Sequence, residues 1–168
     1  MKQKTFRRAA GDPASYIRLW ITAGVGLLAD LMSKWFAWQM LENVPSQSHP
    51  IIRGFLSFKL ARNPGIAFGI KLGWWPVLFA ALGGILLVLY LFLVSSKAAR
   101  LGHIGMGLIL SGALGNLIDR LRPPYEVRDF IDFHFWPTFN LADLFLCVGV
   151  GLLALSILRP HSSPSGGS

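Results

Sequence analysis

Asp143 lies inside the apolar run Phe139 to Leu158, three residues after Asn140, so the two share one face of a helix, one turn apart. Asn140 alone reads as a helix cap, but capping does not require an acid three residues deeper in an apolar run. A second acid, Asp129, belongs to the segment Val127 to Phe133, where period-two alternation groups it with Val127, Ile131 and Phe133 and leaves Asp132 with Glu126 and Arg128. Asp129 is therefore expected on the membrane or core side and Asp132 toward water. A carboxylate on an apolar face resists ionisation, and a second carboxylate close by raises one of the two further. Two such acids sharing a proton can activate water with the ionised partner and protonate the peptide oxygen or leaving amine with the other.

Other ionisable groups have plainer readings. Asp30 and Lys34 stand at i and i+4 with Ser33 between them, close enough for a structural ion pair that makes their helix insertable. Asn116, Asp119 and Arg120 lie at i, i+3 and i+4, as an interfacial salt bridge at a helix terminus would require. The single Cys147 can form neither an internal disulfide nor a multi-cysteine metal site. The chain has no internal repeat, P-loop, dinucleotide fingerprint or zinc-type motif.

The elements that must position these side chains are those of a membrane protein. The 168 residues are 53% hydrophobic and 14% charged with a net charge of +8, and the basic residues sit mostly outside the apolar runs. No basic stripe interleaved with aromatics occurs, so nucleic acid is not an expected partner. A spanning helix needs about 20 apolar residues, and four stretches qualify, at about 17–38, 72–96, 101–119 and 139–158. The outer connections, about 42–71 and 120–138, contain strand-like segments at Ile52 to Arg62 and Val127 to Phe133, enough for a small sheet roofing the helices. Gly105, Gly107, Gly112 and Gly115 suit close helix packing. The basic N-terminus is expected to be a retained anchor rather than a cleaved signal. It, the Lys97/Arg100 link and the Arg159 end would all be cytoplasmic across four crossings. Residues 1–160 form one domain, and 161–168, rich in Ser and Gly, are expected to be disordered.

Four motifs in order resemble those of the bacterial lipoprotein signal peptidase (signal peptidase II) family: Asp30 to Lys34; Asn63 to Gly69; Gly112 to Arg120 running into Val127 to Phe130; and Phe139 to Asp143. The resemblance implies an all-α membrane protein of four transmembrane helices with a small extracytoplasmic β-cradle and an interfacial helix, both termini cytoplasmic, in the bacterial cytoplasmic (inner) membrane. It implies an aspartic endopeptidase that removes the signal peptide of a prolipoprotein just before a cysteine carrying diacylglycerol. Asp129 and Asp143 match the catalytic dyad. Asn63, Gly65, Asn116, Arg120 and Asn140 match positions that hold the dyad and substrate backbone, and Asp30 with Lys34 matches a supporting pair. No metal or organic cofactor is implied; the expected partners are the diacylglyceryl-prolipoprotein, membrane lipids and globomycin-type inhibitors, and the protein is expected to be a monomer. Two features depart from the pattern. Arg128 stands where a smaller or apolar residue is expected, and its charge would favour ionisation of a neighbouring acid; the loop through Pro123-Pro124 is slightly long.

Two other readings fit the residue types. A proton-coupled transporter would use Asp30, Lys34 and Asp143 as a relay, although the inner halves of the last three helices offer it only His103. An assembly subunit would dock through the glycine-rich third helix, leaving the outer polar cluster without a purpose.

Overall fold

A computed structural model describes Ala9, residues 12–64 and residues 74–158. Gly65, the rest of its motif through Gly69 and the tail 161–168 lie outside the described residues.

Helix α1 runs from Pro13 to Leu41, longer than the expected 17–38 because Asp12 caps it, accepting from the Ser15 backbone N–H at 3.0 Å, and Pro13 takes the first turn. Its 29 residues extend about 43 Å at 1.5 Å each. Leu19, Ala23, Gly26, Asp30, Lys34, Ala37 and Leu41 form its buried stripe at helical spacing. The opposite face carries exposed Ile21, Val25, Leu28, Met32 and Trp35. An outward apolar face and an inward one containing charge reverse the pattern of a helix in water.

Strands β1 (Ser48–Ile52) and β2 (Leu56–Asn63) follow as a hairpin, β2 falling largely within the strand-like segment 52–62 and β1 ahead of it. Gly54 turns the chain between them at φ +76, a conformation glycine tolerates without strain. Helices α2 (Trp74–Val94) and α3 (Arg100–Arg120), strand β3 (Val127–Phe133) and α4 (Leu141–Leu158) complete the order. The strands form one antiparallel sheet, β1-β2-β3. Among the described residues, no separate interfacial helix accompanies these elements.

By length and apolarity α2, α3 and α4 can cross a membrane; α1, with Arg18, Asp30 and Lys34, is not among the helices that qualify. Helix α3 is the enclosed centre, packed against the other three. A Cβ on Gly105 would come within 2.7 Å of the Gly149 carbonyl, and one on Gly149 as close to the Gly105 carbonyl. The two backbones therefore touch where only glycine fits, and packing is the use of this pair.

The last helix starts two residues later than the expected 139. Phe139 instead bridges β3, donating to and accepting from Ile131 at 3.0 and 2.9 Å. That bridge brings the residue after it, Asn140, alongside Asp129.

Candidate active site

The polar residues form two connected layers at the sheet-bearing end of the helices. The lower layer centres on Lys34, whose ammonium lies 2.8 Å from Asp30 Oδ2, 3.0 Å from Asp119 Oδ2 and 3.1 Å from Asn116 Oδ1. Lys34, Asp30 and Asp119 are all buried. Three partners match the three protons of the ammonium, so a cation that would otherwise be costly at this depth is fully engaged. The other oxygen of Asp30 accepts the Ala142 backbone N–H at 2.9 Å, tying α1 to α4. A Cβ at Gly115 would collide with the Asp30 carboxylate, which is why the helix carries no side chain there. Asp30 and Lys34 are therefore a structural pair, as the spacing suggests, but within a larger network.

Asp119 pairs with Lys34 and Arg128, whereas the spacing pointed to Arg120. Arg128 donates through Nε at 2.9 Å and Nη2 at 2.6 Å to Asp119 Oδ1. Its side chain is thus turned to the face of β3 opposite Asp129, as alternation requires. The expected influence of its charge on the neighbouring acid is spent on Asp119. Arg120 donates to the Asn116 carbonyl at 3.2 Å, and its charge acts on Asp143 and Asp129.

The upper layer is built on amides. Asn116 Oδ1 faces Lys34, so its Nδ2 points the other way and donates to Asp143 Oδ1 at 2.8 Å. Asn140 Nδ2 donates to Asp129 Oδ1 at 2.6 Å and to Asn116 Oδ1 at 3.2 Å. Asn63 Nδ2 reaches the remaining oxygen of Asp129 at 3.2 Å. Asn140 is also the cap of α4: its Oδ1 accepts the Asp143 N–H at 3.1 Å while Asp143 Oδ2 accepts the Asn140 N–H at 3.3 Å. This is a reciprocal capping box, so Asp143 does have a capping role that the sequence argument discounted, in addition to facing Asp129.

Asp129 is 2% exposed. Burial and, next, the negative charge of Asp143 raise its pKa to about 7, against the hydrogen bonds from Asn63 and Asn140 and the charge of Lys34. It therefore exchanges a proton near neutrality, beside a second carboxylate that is only partly buried and open to solvent. Asp132 stands apart, 3.9 Å from the exposed Lys59. Of the expected residues, the fold brings together Asp30, Lys34, Asn63, Asn116, Asp129, Asn140 and Asp143 in one bonded network.

The family described as Signal peptidase (SPase) II matches residues 22–159. The chain belongs to the signal peptidase II family. Members of this family are aspartic peptidases that remove signal peptides from prolipoproteins, and the chain is accordingly a membrane peptidase. Lipoprotein signal peptidases of Coxiella burnetii (strain Dugway 5J108-111) and Syntrophomonas wolfei are similar to it at 41% and 37% identity, over 87% and 84% of this chain and 93% and 94% of theirs. A bacterial membrane enzyme solved by the in meso method at 2.3 Å shares the fold with a TM-score of 0.75 and 27% identity, covering 88% of this chain and 92% of that one. The signal peptidase II assignment also absorbs the four ordered motifs, which neither the transporter nor the assembly reading explains. Arg128 and its pairing with Asp119 were missed as part of the site; its alternation with Asp129 was the available signal, since it places the guanidinium on the face toward the end of α3.

Proposed function

We propose that Asp129 and Asp143 are the catalytic dyad, cleaving diacylglyceryl-modified prolipoproteins just before the lipid-bearing cysteine. The observation that carries this reading is the buried Asp129, whose pKa is pushed up to about 7 beside a solvent-accessible Asp143. Asp143 takes a proton from a water as the water oxygen attacks the scissile carbonyl, and Asp129 gives its proton to the carbonyl oxygen. The C–N bond then breaks: Asp143 passes its proton to the departing amine, and Asp129 recovers a proton from the collapsing diol. The dyad ends in its starting state with one water consumed. Asn140 and Asn116 hold the two carboxylates in register, and Asn63 and Arg120, beside them, meet the substrate backbone, the role the family resemblance also implies for Gly65.

In this reading α1 is a fourth span, supported by its length and exposed apolar face. The Lys97/Arg100 link and both termini are cytoplasmic, putting the sheet and dyad at the outer surface of the bacterial inner membrane. The enzyme works as a monomer without a cofactor, and globomycin-type peptides occupy the dyad cleft. The test is purified protein in detergent with a diacylated prolipoprotein, followed by product mass. The expected result is a single cut before the lipidated cysteine with a bell-shaped pH profile whose limbs belong to the pair. Intact substrate under all conditions would remove the proposal.

A further inference from the structure

The face of the sheet turned away from Asp129 carries a second polar feature that catalysis does not use. A cavity of about 200 Å³ lies between the end of α1, strands β2 and β3, and the turn after α3, lined by Trp38, Arg62, Asp119, Arg122, Glu126 and Arg128 among others. Arg62 and Arg128 are directly opposed partners in the β2–β3 register, an arrangement that like charges disfavour. Arg128 is countered by Asp119, but that carboxylate also serves Lys34 at 3.0 Å. Arg62 stacks its guanidinium 4.9 Å over the Trp38 ring, which fixes its place, and among the described residues it makes no ion pair. Arg122 is exposed and, among the described residues, makes no ion pair. Three guanidinium groups thus face one cavity in which one of the two carboxylates is already shared.

We propose that this cavity binds the phosphate of an anionic phospholipid headgroup. Guanidinium groups match phosphate oxygens through paired N–H donors and are weakly hydrated, so they bind phosphate better than an ammonium would. A concave site with an excess of positive charge and low-dielectric walls concentrates anions. Trp35, Tyr125 and Trp136 are exposed around the same end of the molecule, as aromatic side chains are at a membrane–water boundary. The proposal rests on the reading that this end lies at a bilayer surface, and it is independent of the dyad. A bound headgroup would screen the opposed Arg62 and Arg128 and fasten the sheet carrying Asp129 to the lipid surface.

The test uses full-length protein in detergent, stripped of lipid and titrated with phosphatidylglycerol, with phosphatidylcholine and, separately, with inorganic phosphate, followed by native mass spectrometry. Phosphatidylglycerol should add one tightly held molecule. R62Q/R122Q should weaken that addition at least about tenfold, the scale of one lost charged hydrogen bond. R122Q alone, in an exposed turn and with no ion pair to lose among the described residues, should weaken it severalfold and covers the case in which the double variant folds poorly. R53Q removes the same charge from the β1–β2 turn and should change nothing. Equal binding by parent and R122Q, equal loss in R53Q, or equal retention of phosphatidylcholine would overturn the site. Binding of inorganic phosphate with the same arginine dependence, and none of phosphatidylglycerol, would overturn the lipid assignment in favour of a soluble anion. A failed cleavage assay with lipid binding intact would count against the dyad and leave this site standing.

Discussion

Two pairs of aspartates lie within one network and are held in opposite ways. Asp30 and Asp119 each contact the Lys34 ammonium, at 2.8 and 3.0 Å, and Asp119 also holds Arg128. Asp129 is gripped by the neutral amides of Asn63 and Asn140, and Asp143 by an amide of Asn116 and a backbone N–H. A carboxylate in contact with a cation has its partner fixed by charge and serves structure. One held by amides, buried and facing another carboxylate, is left able to exchange a proton. Asn116 links the layers, because the Lys34 ammonium orients the amide that donates to Asp143.

The sharpest way to break this contrast is to remove ionisation from the upper pair. Asp129→Asn and Asp143→Asn should each lower cleavage by about 10³-fold or more, with folding retained, since Asn keeps the shape and cannot transfer a proton. The double variant should be scarcely slower than either single one, because the pair acts as a unit. Near-parental cleavage by either single variant would undo the two-aspartate mechanism.

In the lower pair the loss should appear as stability. Lys34→Met leaves Asp30 and Asp119 buried without their common cation, which should cost on the order of 3–5 kcal/mol and collapse the folded yield measured by size-exclusion chromatography in detergent. Asp30→Ala should reduce yield in the same way. If either variant were made at parental yield but inactive, the lower layer would have to be assigned to chemistry.

Asp129 should also betray its environment in the pH dependence of stability. With its pKa raised from 3.8 to about 7, the folded chain holds a proton that the unfolded chain has lost between those values. The stability associated with this group is full below about pH 3.8 and is lost as pH rises through about 7. Asp129→Asn escapes that loss and should gain on the parent by on the order of 4 kcal/mol above neutrality. Thermal unfolding at about pH 5 and about pH 8 should show the Tm advantage growing with pH; a constant or shrinking difference would contradict the raised pKa.

The smallest effect belongs to Asp132. Its pair with Lys59 is long, at 3.9 Å, and Lys59 is half exposed, so Asp132→Asn should change cleavage and stability by less than about twofold and about 1 kcal/mol. An inactive, well-folded Asp132→Asn enzyme would mean that the wrong acid of β3 has been placed in the dyad.

Much of this was legible in the residues. Apolar runs located α2, α3 and α4 to within about two residues because lipid requires a long unbroken stretch whatever the packing. Period-two alternation put Asp129 on the inner face of β3 and Arg128 on the other, because side chains in a strand have no other choice. Helical spacing paired Asp30 with Lys34. The ordered motifs pointed to the family.

Tertiary structure decided the rest. Phe139 reads as the first residue of an apolar helix, yet it pairs with Ile131 in β3, and only that long-range bridge brings Asn140 to Asp129. Asp119 looked local to Arg120, but its partners come from α1 and β3. Hydrophobicity and periodicity depend on neighbours in the chain, so a single sequence specifies them. Which cation meets which carboxylate, and which acid keeps its proton, depends on groups separated by up to 112 positions, as between Asp30 and the Ala142 N–H, and on the burial that folding alone creates.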